Sequence, residues 1–362
     1  MRSKFILTLS GIAFVFLLTG ASCVSFSSNQ TGTTGPAGMF VSTDKGESWQ
    51  QTSALPKAEG VKSISGVSVN RLYEDPQDPR ALYVTTPSNG MFYSFDDGKT
   101  WQQPEGPLSS GFVYAVAVHP KNKCVIFASN GREVFRTDDC LRSWTKVDSE
   151  LRSDVSVRTL AFNPFPPYQI FQGKTNGDIL QSFDSGNGWQ MVKKFNKRLV
   201  NLIASPLKEN LLYAIMKEDG LYRSEDGGAS WVSTKDKLKK LSGGLEYRRF
   251  ALHATKPDTV FWISTYGILR SDDRGDNLTA MNLITPPGSA NIYGFAVNPQ
   301  NENEVYYVGT IGNRSLFYKT VDGGKNWTTK KVPSGQLPTV LRVHPKQTNV
   351  IYMGFSIPPK QK

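Results

Sequence analysis

Arginine, tyrosine and asparagine side chains recur at matching places along this chain, five or six residues before a proline or an alanine. Guanidinium groups bind carboxylates and phosphates in a forked, two-bond geometry, so a ring of such residues would recognise an anion. The candidate ligand-binding residues are Arg71, Tyr114, Arg158, Asn201, Arg248, Arg249 and Tyr293. A second interpretation stays open, because the same side chains would also serve in packing or in pairs with nearby carboxylates.

Seven aspartates occur within an eight-residue phrase, Ser/Thr-x-Asp-x-Gly-x-x-Trp, which we call the box. They are Asp44, Asp96, Asp139, Asp184, Asp226, Asp273 and Asp322. Seven copies of one catalytic carboxylate make no chemical sense, whereas aspartate accepts backbone N–H groups in tight turns and glycine supplies a positive φ. We therefore predict a structural role. Leu141 replaces the glycine in one copy and Leu278 the tryptophan in another, where we expect a distorted turn and a thinner contact between units.

The boxes return every 42 to 52 residues, which indicates a repeat architecture. Each unit contains short β-branched and aromatic runs, such as Ala81–Thr86 and Met91–Phe95 on either side of an Asn-Gly turn. Four strands per unit predict an all-β, seven-bladed β-propeller of four-stranded antiparallel blades. Gly38 to Gln50 supplies only a third and a fourth strand, and Thr339–Phe355 only a first and a second. We predict that the two ends share one blade and close a single ring over residues 38–362.

The box resembles the Asp-box, or bacterial neuraminidase repeat, in its serine or threonine, aspartate, glycine and tryptophan. That family includes sialidases, xyloglucan-cleaving endoglucanases, sortilin-type receptors and the photosystem II assembly factor family. The match extends from Gly38 to the C-terminus and implies the propeller fold. The single ring, the lipoprotein-like start and the basic mouth look most like the assembly factors. That resemblance implies a non-catalytic protein that assists the assembly of a membrane subunit.

A glycan-processing hydrolase is the alternative function. The resemblance to sialidases implies three arginines on a substrate carboxylate, as Arg71, Arg158 and Arg249 would provide. It also implies a tyrosine nucleophile with a glutamate, for which Glu246-Tyr247 is the nearest pair. However, the Arg-Ile-Pro motif of those enzymes is absent from the sequence, and their usual ring has six blades. The resemblance to xyloglucan-type β-glucanases implies a cleft between two propellers, whereas this chain carries the boxes of one.

The first 22 residues have the pattern of an export signal, with a basic start before the apolar stretch Phe5–Leu18. The small residues Gly20–Ser22 before Cys23 are similar to the lipobox of bacterial lipoproteins, although glycine stands where leucine is usual. We expect a lipoprotein signal peptide over residues 1–22, lipidation of Cys23, and a polar tether over residues 23–37. Simple cleavage of the signal without lipidation is the alternative. The protein would then be exported and lipid-anchored to the cell membrane or the outer membrane, facing the extracytoplasmic side.

The formal net charge of +11 favours anionic partners. We expect the partner to be an envelope or membrane protein, or an anionic glycan, and the protein itself to be a monomer. No nucleic-acid recognition module occurs in the sequence, and that partner does not suit the compartment.

The remaining reactive residues are cysteines and histidines. Cys124 and Cys140 lie in the same unit, a few residues apart in the hairpin register, and both a disulfide and a pair of buried thiols stay open. His119, His253 and His344 each end a first strand, but in different units, so they are not expected to share a metal. The sequence also lacks a phosphate-cradling glycine loop, and we expect neither a metal nor a cofactor.

Overall fold

The computed structural model describes residues 34–358, which form a ring of seven antiparallel β-sheets, the blades of a β-propeller. The all-β, seven-bladed prediction is confirmed. The described chain starts with β1 (Gly38–Ser42) and β2 (Gln50–Thr52), which belong to blade 7. It continues with a two-stranded hairpin, β3 (Ala54–Lys57) and β4 (Gly60–Ser63).

Blades 1 to 6 follow in chain order. Blade 1 contains β5 (Arg71–Glu74), β6 (Leu82–Thr85) and β7 (Met91–Ser94). Blade 2 contains β8 (Ala115–His119), β9 (Asn122–Ser129), β10 (Glu133–Thr137) and β11 (Thr145–Ser149). Blade 3 contains β12 (Val157–Phe162), β13 (Ile170–Lys174), β14 (Asp178–Ser182) and β15 (Gln190–Lys194). Blade 4 contains β16 (Leu199–Ala204), β17 (Leu212–Met216), β18 (Gly220–Ser224) and β19 (Val232–Ser233).

Blade 5 contains β20 (Tyr247–Leu252), β21 (Val260–Ser264), β22 (Gly267–Ser271) and β23 (Thr279–Ala280). Blade 6 contains β24 (Asn291–Asn298), β25 (Asn301–Ile311), β26 (Arg314–Thr320) and β27 (Thr328–Lys331). Blade 7 is completed by β28 (Leu337–Val343) and β29 (Ile351–Ser356). Two short helices lie between blades, a 3₁₀ turn at Gly106–Leu108 and α1 (Lys235–Leu238). Neither of these helices, within residues 34–358, has the length and apolar character needed to cross a bilayer.

The fourth strand of blade 1 is reduced to a single bridge. Tyr93 pairs with Gln102, and the two residues exchange backbone hydrogen bonds of 2.9 and 2.7 Å. Gln102 therefore occupies the place that the sequence predicted for a short strand.

The chain ends close the ring, as predicted. In blade 7 the strand order is β2-β1-β29-β28, and β1 pairs with β29 from Gly38 opposite Phe355 to Ser42 opposite Ile351. An N-terminal strand thus hydrogen-bonds to the last strand of the chain. Pairing of the two ends protects both strand edges from other chains.

The core lies between the blades rather than at their centre. Each cluster of buried side chains combines strands of two neighbouring sheets, such as Tyr83 of blade 1 with Phe135 of blade 2. Second strands are covered by a sheet on both faces, and β17 is buried at every position. This explains their continuous apolar runs in the sequence, because a strand packed on both faces has no solvent-facing alternation.

The seven boxes fold into the same turn. In the box of blade 7, the Ser42 hydroxyl lies 2.7 Å from Asp44, which accepts the Ser48 N–H at 2.9 Å. The same two bonds occur in every box, at 2.6–2.8 Å and 2.7–3.0 Å. Hydrogen bonds to the Asp44 carboxylate, of which the bond from the Ser48 hydroxyl contributes most, lower the pKa of Asp44 to about 2. Such carboxylates stay ionised and serve the turn, which supports the structural interpretation.

The box glycine is required by both conformation and space. Gly46 has a φ of +87°, and a Cβ there would lie 2.4 Å from the Phe317 ring of blade 6. Leu141, which replaces this glycine in blade 2, takes the same left-handed conformation at a φ of +73°. Its N–H still reaches the Thr137 hydroxyl at 3.1 Å, so the expected distortion does not extend to the hydrogen bonds.

The tryptophans pack on the preceding blade. Trp101 is fully buried, and its indole N–H donates to the Thr52 carbonyl of blade 7 at 3.0 Å. Leu278, which replaces the tryptophan of blade 5, is partly buried against the cluster shared with blade 4.

Alternating strand directions give the ring two distinct faces. The boxes join third to fourth strands and share one face with the turns that join first to second strands; we call it the box face. The other face carries the starts of the first strands and the connections between blades; we call it the mouth face. The first strands line the central opening, which we call the hub.

Candidate functional site

Five first strands in the described part of the ring carry a β-bulge at the same place. In β12 the register passes from Val157 opposite Lys174 to Thr159 opposite Gly173, so Arg158 is the extra residue. The equivalent bulged residues are Arg158, Val200, Arg248, Tyr293 and Thr339. A bulge re-aims side chains without ending the strand. It therefore explains why positions near the mouth face present several side chains to the hub.

The predicted ligand-binding residues do meet at the mouth end of the hub, and we call them the hub cluster. All seven are half-buried. They are Arg71, Tyr114, Arg158, Asn201, Arg248, Arg249 and Tyr293. In blade 4 the bulged position belongs to Val200, and Asn201 follows it.

Two arginines of the hub cluster reach across the ring. Arg71 of blade 1 donates from Nη1 to Oδ1 of Asn201 in blade 4 at 3.2 Å. Arg249 of blade 5 donates from Nη2 to the Thr339 carbonyl in blade 7 at 2.6 Å. Both bonds join blades that are not neighbours. These side chains therefore occupy the hub itself, and part of the cluster serves the packing role that the sequence left open.

The other arginine contacts are with aromatic rings. The Arg158 guanidinium carbon lies 5.1 Å from the centroid of Tyr114, whose ring stacks on Phe112 at 4.1 Å. Arg248 and Arg249 lie 5.6 and 5.9 Å from the ring of Tyr293. Cation–π contacts of this kind hold a guanidinium in place without neutralising it. The Arg158 side chain has no hydrogen bond to another described residue, so its guanidinium donors have no partner in this part of the chain.

The hub arginines form a cluster of like charge. Burial is the main cause that lowers the pKa of Arg158, and the charge of Arg71 adds to it. Burial also lowers the pKa of Arg249, and Arg71 again contributes. Over residues 34–358 none of these three arginines pairs with a carboxylate. In the hub cluster only Arg248 does so, with Glu246 at 3.8 Å. An anion entering the hub would relieve this repulsion.

Two carboxylates on the mouth face, Glu150 and Asp219, form ion pairs with basic side chains. Glu150 accepts Nε of Arg152 at 2.8 Å, and this bond holds the pKa of Glu150 well below its usual range. Burial alone would raise the pKa of Asp219, but hydrogen bonds from Lys197 and Lys235 outweigh burial and lower it to about 2. A glycosidase acid needs a raised pKa to carry its proton at neutral pH. These two groups are therefore suited to structure rather than to proton transfer.

Two of the three cysteines are joined to each other, and the third lies outside the described residues. Cys124 and Cys140 are joined in a disulfide, with Cα atoms 3.9 Å apart. The hairpin ladder ends at Ile126 opposite Thr137, and the box turn then brings Cys140 back beside Cys124. Strand register alone therefore overestimated their separation. Cys23 and the predicted signal peptide lie outside the described residues.

The three histidines cap turns on the box face, a role that sequence reasoning missed. Nδ1 of His344 accepts the N–H groups of Lys346 and Gln347 at 3.1 and 2.8 Å. The same slot in each blade holds an acceptor with equivalent bonds: Asp75, His119, Asn163, Ser205, His253, Asn298 and His344. A polar acceptor before every first-to-second strand turn was the available signal. Within residues 34–358 no group of three metal-ligating side chains comes together.

Two open depressions lie on the box face, away from the hub cluster. One, of about 510 Å³, is bounded by Arg270 and Glu302, which form an ion pair. The other, of about 720 Å³, is bounded by Lys121, Lys123 and Lys346, none of which has a carboxylate partner among the described residues. Neither contains the convergent arginines and aromatic rings of the hub.

Known proteins resemble this chain over different parts of its length. Residues 37–157 match the family model described as Sortilin, neurotensin receptor 3. A xyloglucanase from a Paenibacillus species is 24% identical over 267 residues, which are 66% of this chain and 23% of the relative. The chain thus spans about a quarter of that enzyme's length.

Solved structures share the fold. The GH74 enzyme of Niastella koreensis matches with a TM-score of 0.62 at 14% identity, covering 80% of this chain and 51% of that one. A structure of YCF48 bound to D1 peptide matches with a TM-score of 0.58 at 16% identity, covering 80% of this chain and 94% of that one. The fold is thus shared by glycoside hydrolases and by a peptide-bound propeller. The chain is a seven-bladed β-propeller that resembles the sortilin, YCF48 and GH74 propellers.

Proposed function

We propose that this protein is a non-catalytic binding and assembly module, tethered to a membrane outside the cytoplasm. Its hub cluster receives a carboxylate-bearing segment of an envelope or membrane protein, or of an anionic glycan. The observation that carries the proposal is the group of Arg71, Arg158 and Arg249, which share one opening without a carboxylate partner among the described residues. A carboxylate bound there would accept forked hydrogen bonds from free guanidinium donors.

The comparisons support a peptide ligand more than a polysaccharide. The YCF48 structure, whose printed description includes a bound D1 peptide, is matched over almost its whole length. The xyloglucanase relative is matched over less than a quarter of its length. A partner that inserts a chain terminus would fit a narrow hub, because a terminal carboxylate is compact and can reach past the tyrosine rings. Membrane tethering rests on the sequence pattern before Cys23.

The first experiment identifies the partner by crosslinking and mass spectrometry in the native host, followed by capture with purified variants. Arg158→Ala removes the guanidinium with free donors and should abolish capture. The matched control is Lys121→Ala, which removes an exposed charge on the opposite face. Loss of capture in Arg158→Ala but not in Lys121→Ala supports the hub cluster as the binding site. Capture that survives Arg158→Ala and Arg249→Ala together overturns it.

Glycan hydrolysis is the second candidate, favoured by the similarity to the xyloglucanase. Purified protein would be assayed on xyloglucan, other β-glucans and sialosides. Turnover that disappears in both Arg158→Ala and Arg249→Ala would replace the binding proposal with an enzymatic one.

A further inference from the structure

The described chain begins on the mouth face. The carbonyl of Thr34 accepts the N–H of Gly335 at 2.9 Å, and the carbonyl of Pro36 accepts the Ser334 hydroxyl at 2.6 Å. Ser334 and Gly335 lie in the connection that leads into β28, and this connection is on the mouth face. The described chain therefore joins the ring on the same face as the mouth of the hub.

The same face exposes aliphatic side chains at the tips of its loops. Ile284 lies in the connection between blades 5 and 6, Ile311 at the end of β25 in blade 6 and Ile357 after β29; they are 55%, 49% and 47% exposed. All three lie in the sector formed by blades 5 to 7, which includes the point where Thr34 meets the ring. Single exposed aliphatic residues are ordinary, and three in one sector of a face are what a contact with an apolar phase would cover.

Positive charge accompanies these aliphatic tips. Arg314 begins β26 and pairs with Ile311 across the hairpin, and Lys331 ends β27 on the same sheet. Both side chains are exposed, and neither pairs with a carboxylate in the described part of the chain. Basic groups beside protruding apolar residues are the combination that binds the interface of an anionic bilayer, because the charges attract the headgroups while the apolar tips enter between them.

We propose that Ile284, Ile311, Arg314, Lys331 and Ile357, which we call the membrane edge, rest on an anionic lipid bilayer. The mouth of the hub then faces the membrane surface rather than the solvent. This inference rests on the proposed membrane tethering, because Cys23 would bring the lipid to the mouth face. Thr34 is eleven positions after Cys23, and a chain of that length spans at most about 40 Å. A partner embedded in the membrane would then insert its carboxylate-bearing segment into the hub from the mouth face.

The opposite face provides matched controls, since it exposes comparable groups. Val321 is 61% exposed in a box, and Lys121 and Lys346 are exposed without carboxylate partners among the described residues. Composition alone therefore does not distinguish the two faces. The position of Thr34 does, and the test must measure orientation.

Orientation is measured by amide hydrogen exchange of the full-length protein on vesicles of phosphatidylcholine and phosphatidylglycerol. The expected result is slower exchange in residues 281–290 and 311–316, with no change in residues 119–124 and 344–348. Slower exchange in the second pair of segments, or in neither pair, would overturn the membrane edge.

Affinity is measured on the full chain carrying Cys23→Ser, so that no acyl chain dominates binding. Arg314→Gln should weaken partition onto the anionic vesicles about five-fold, and Lys331→Gln by about the same factor. The effect should shrink at high salt. Lys121→Gln and Lys346→Gln should leave partition unchanged. Equal losses from both pairs would mean that net charge, rather than this edge, determines binding.

The two proposals fail in different ways. Arg158→Ala should abolish partner capture while the exchange protection on vesicles persists. If capture depends on Arg158 but the mouth face gains no protection, the membrane edge is wrong and the hub proposal stands. If the mouth face gains exchange protection but Arg158→Ala still captures the partner, the membrane edge stands and the hub proposal is wrong.

Discussion

Removal of β29 should unfold the whole ring rather than shorten it. A chain that ends at Arg342 loses six buried apolar side chains: Val343, Val350, Ile351, Tyr352, Met353 and Phe355. Each contributes about 1.5–3 kcal/mol through burial, or roughly 9–18 kcal/mol together. Domains are typically stable by only about 5–15 kcal/mol. The truncation also leaves β1 and β28 without the strand that pairs with both of them.

Circular dichroism during heating and resistance to limited proteolysis would measure the effect. The truncated chain should show no cooperative transition and should be digested quickly. A chain that ends at Pro358 keeps every described residue and should melt like the full-length protein. Met353→Ala is the intermediate case, with an expected loss of about 2–5 kcal/mol from the cavity it leaves. If the chain ending at Arg342 melted cooperatively within a few degrees of the parent, closure by β29 would not hold the ring together.

Three further perturbations test the turns and the disulfide. Asp96→Ala removes three hydrogen bonds from Ser94 and Thr100, each worth about 1 kcal/mol. Urea titration should therefore show a free energy of unfolding lower by about 3 kcal/mol. Asp96→Asn should lose less than half of that. Burial lowers the pKa of His253 below its usual value of about 6.5, so on acidification the unfolded chain binds a proton before the folded chain does. The contribution of His253 to the free energy of unfolding should therefore be complete above about pH 6.5 and decline as the pH falls towards about 5. The decline should be smaller in His253→Asn. Reduction of Cys124–Cys140, which closes a loop with a sequence separation of 16, should lower the free energy of unfolding by about 3 kcal/mol, and an unchanged melting temperature after reduction would contradict this.

The repeat could be predicted from the sequence because its signals are local. A box determines its own turn through bonds between residues two and four apart, as in Ser94, Asp96 and Thr100. The spacing of the boxes then gave the number of blades. The split blade followed from counting strands at each end, which needs no knowledge of side-chain positions.

The hub could be predicted only in part. The position of each hub residue before a proline or an alanine was visible, but the bulges that aim those residues depend on pairing with second strands. The hydrogen bond from Arg71 to Asn201 joins residues that are 130 positions apart, and no local sequence pattern predicts it. The adjacency of Cys124 and Cys140 was likewise underestimated, since it arises from the return of the box turn rather than from strand register.

Closure through β1 and β29 has a consequence during synthesis. Gly38 is made among the first residues of the ring and its partner Phe355 among the last, so β1 has only β2 to pair with while every other blade emerges. Vectorial growth therefore cannot produce a finished toroid until translation is nearly complete. Until then blade 7 lacks β29, the strand that pairs with both β1 and β28.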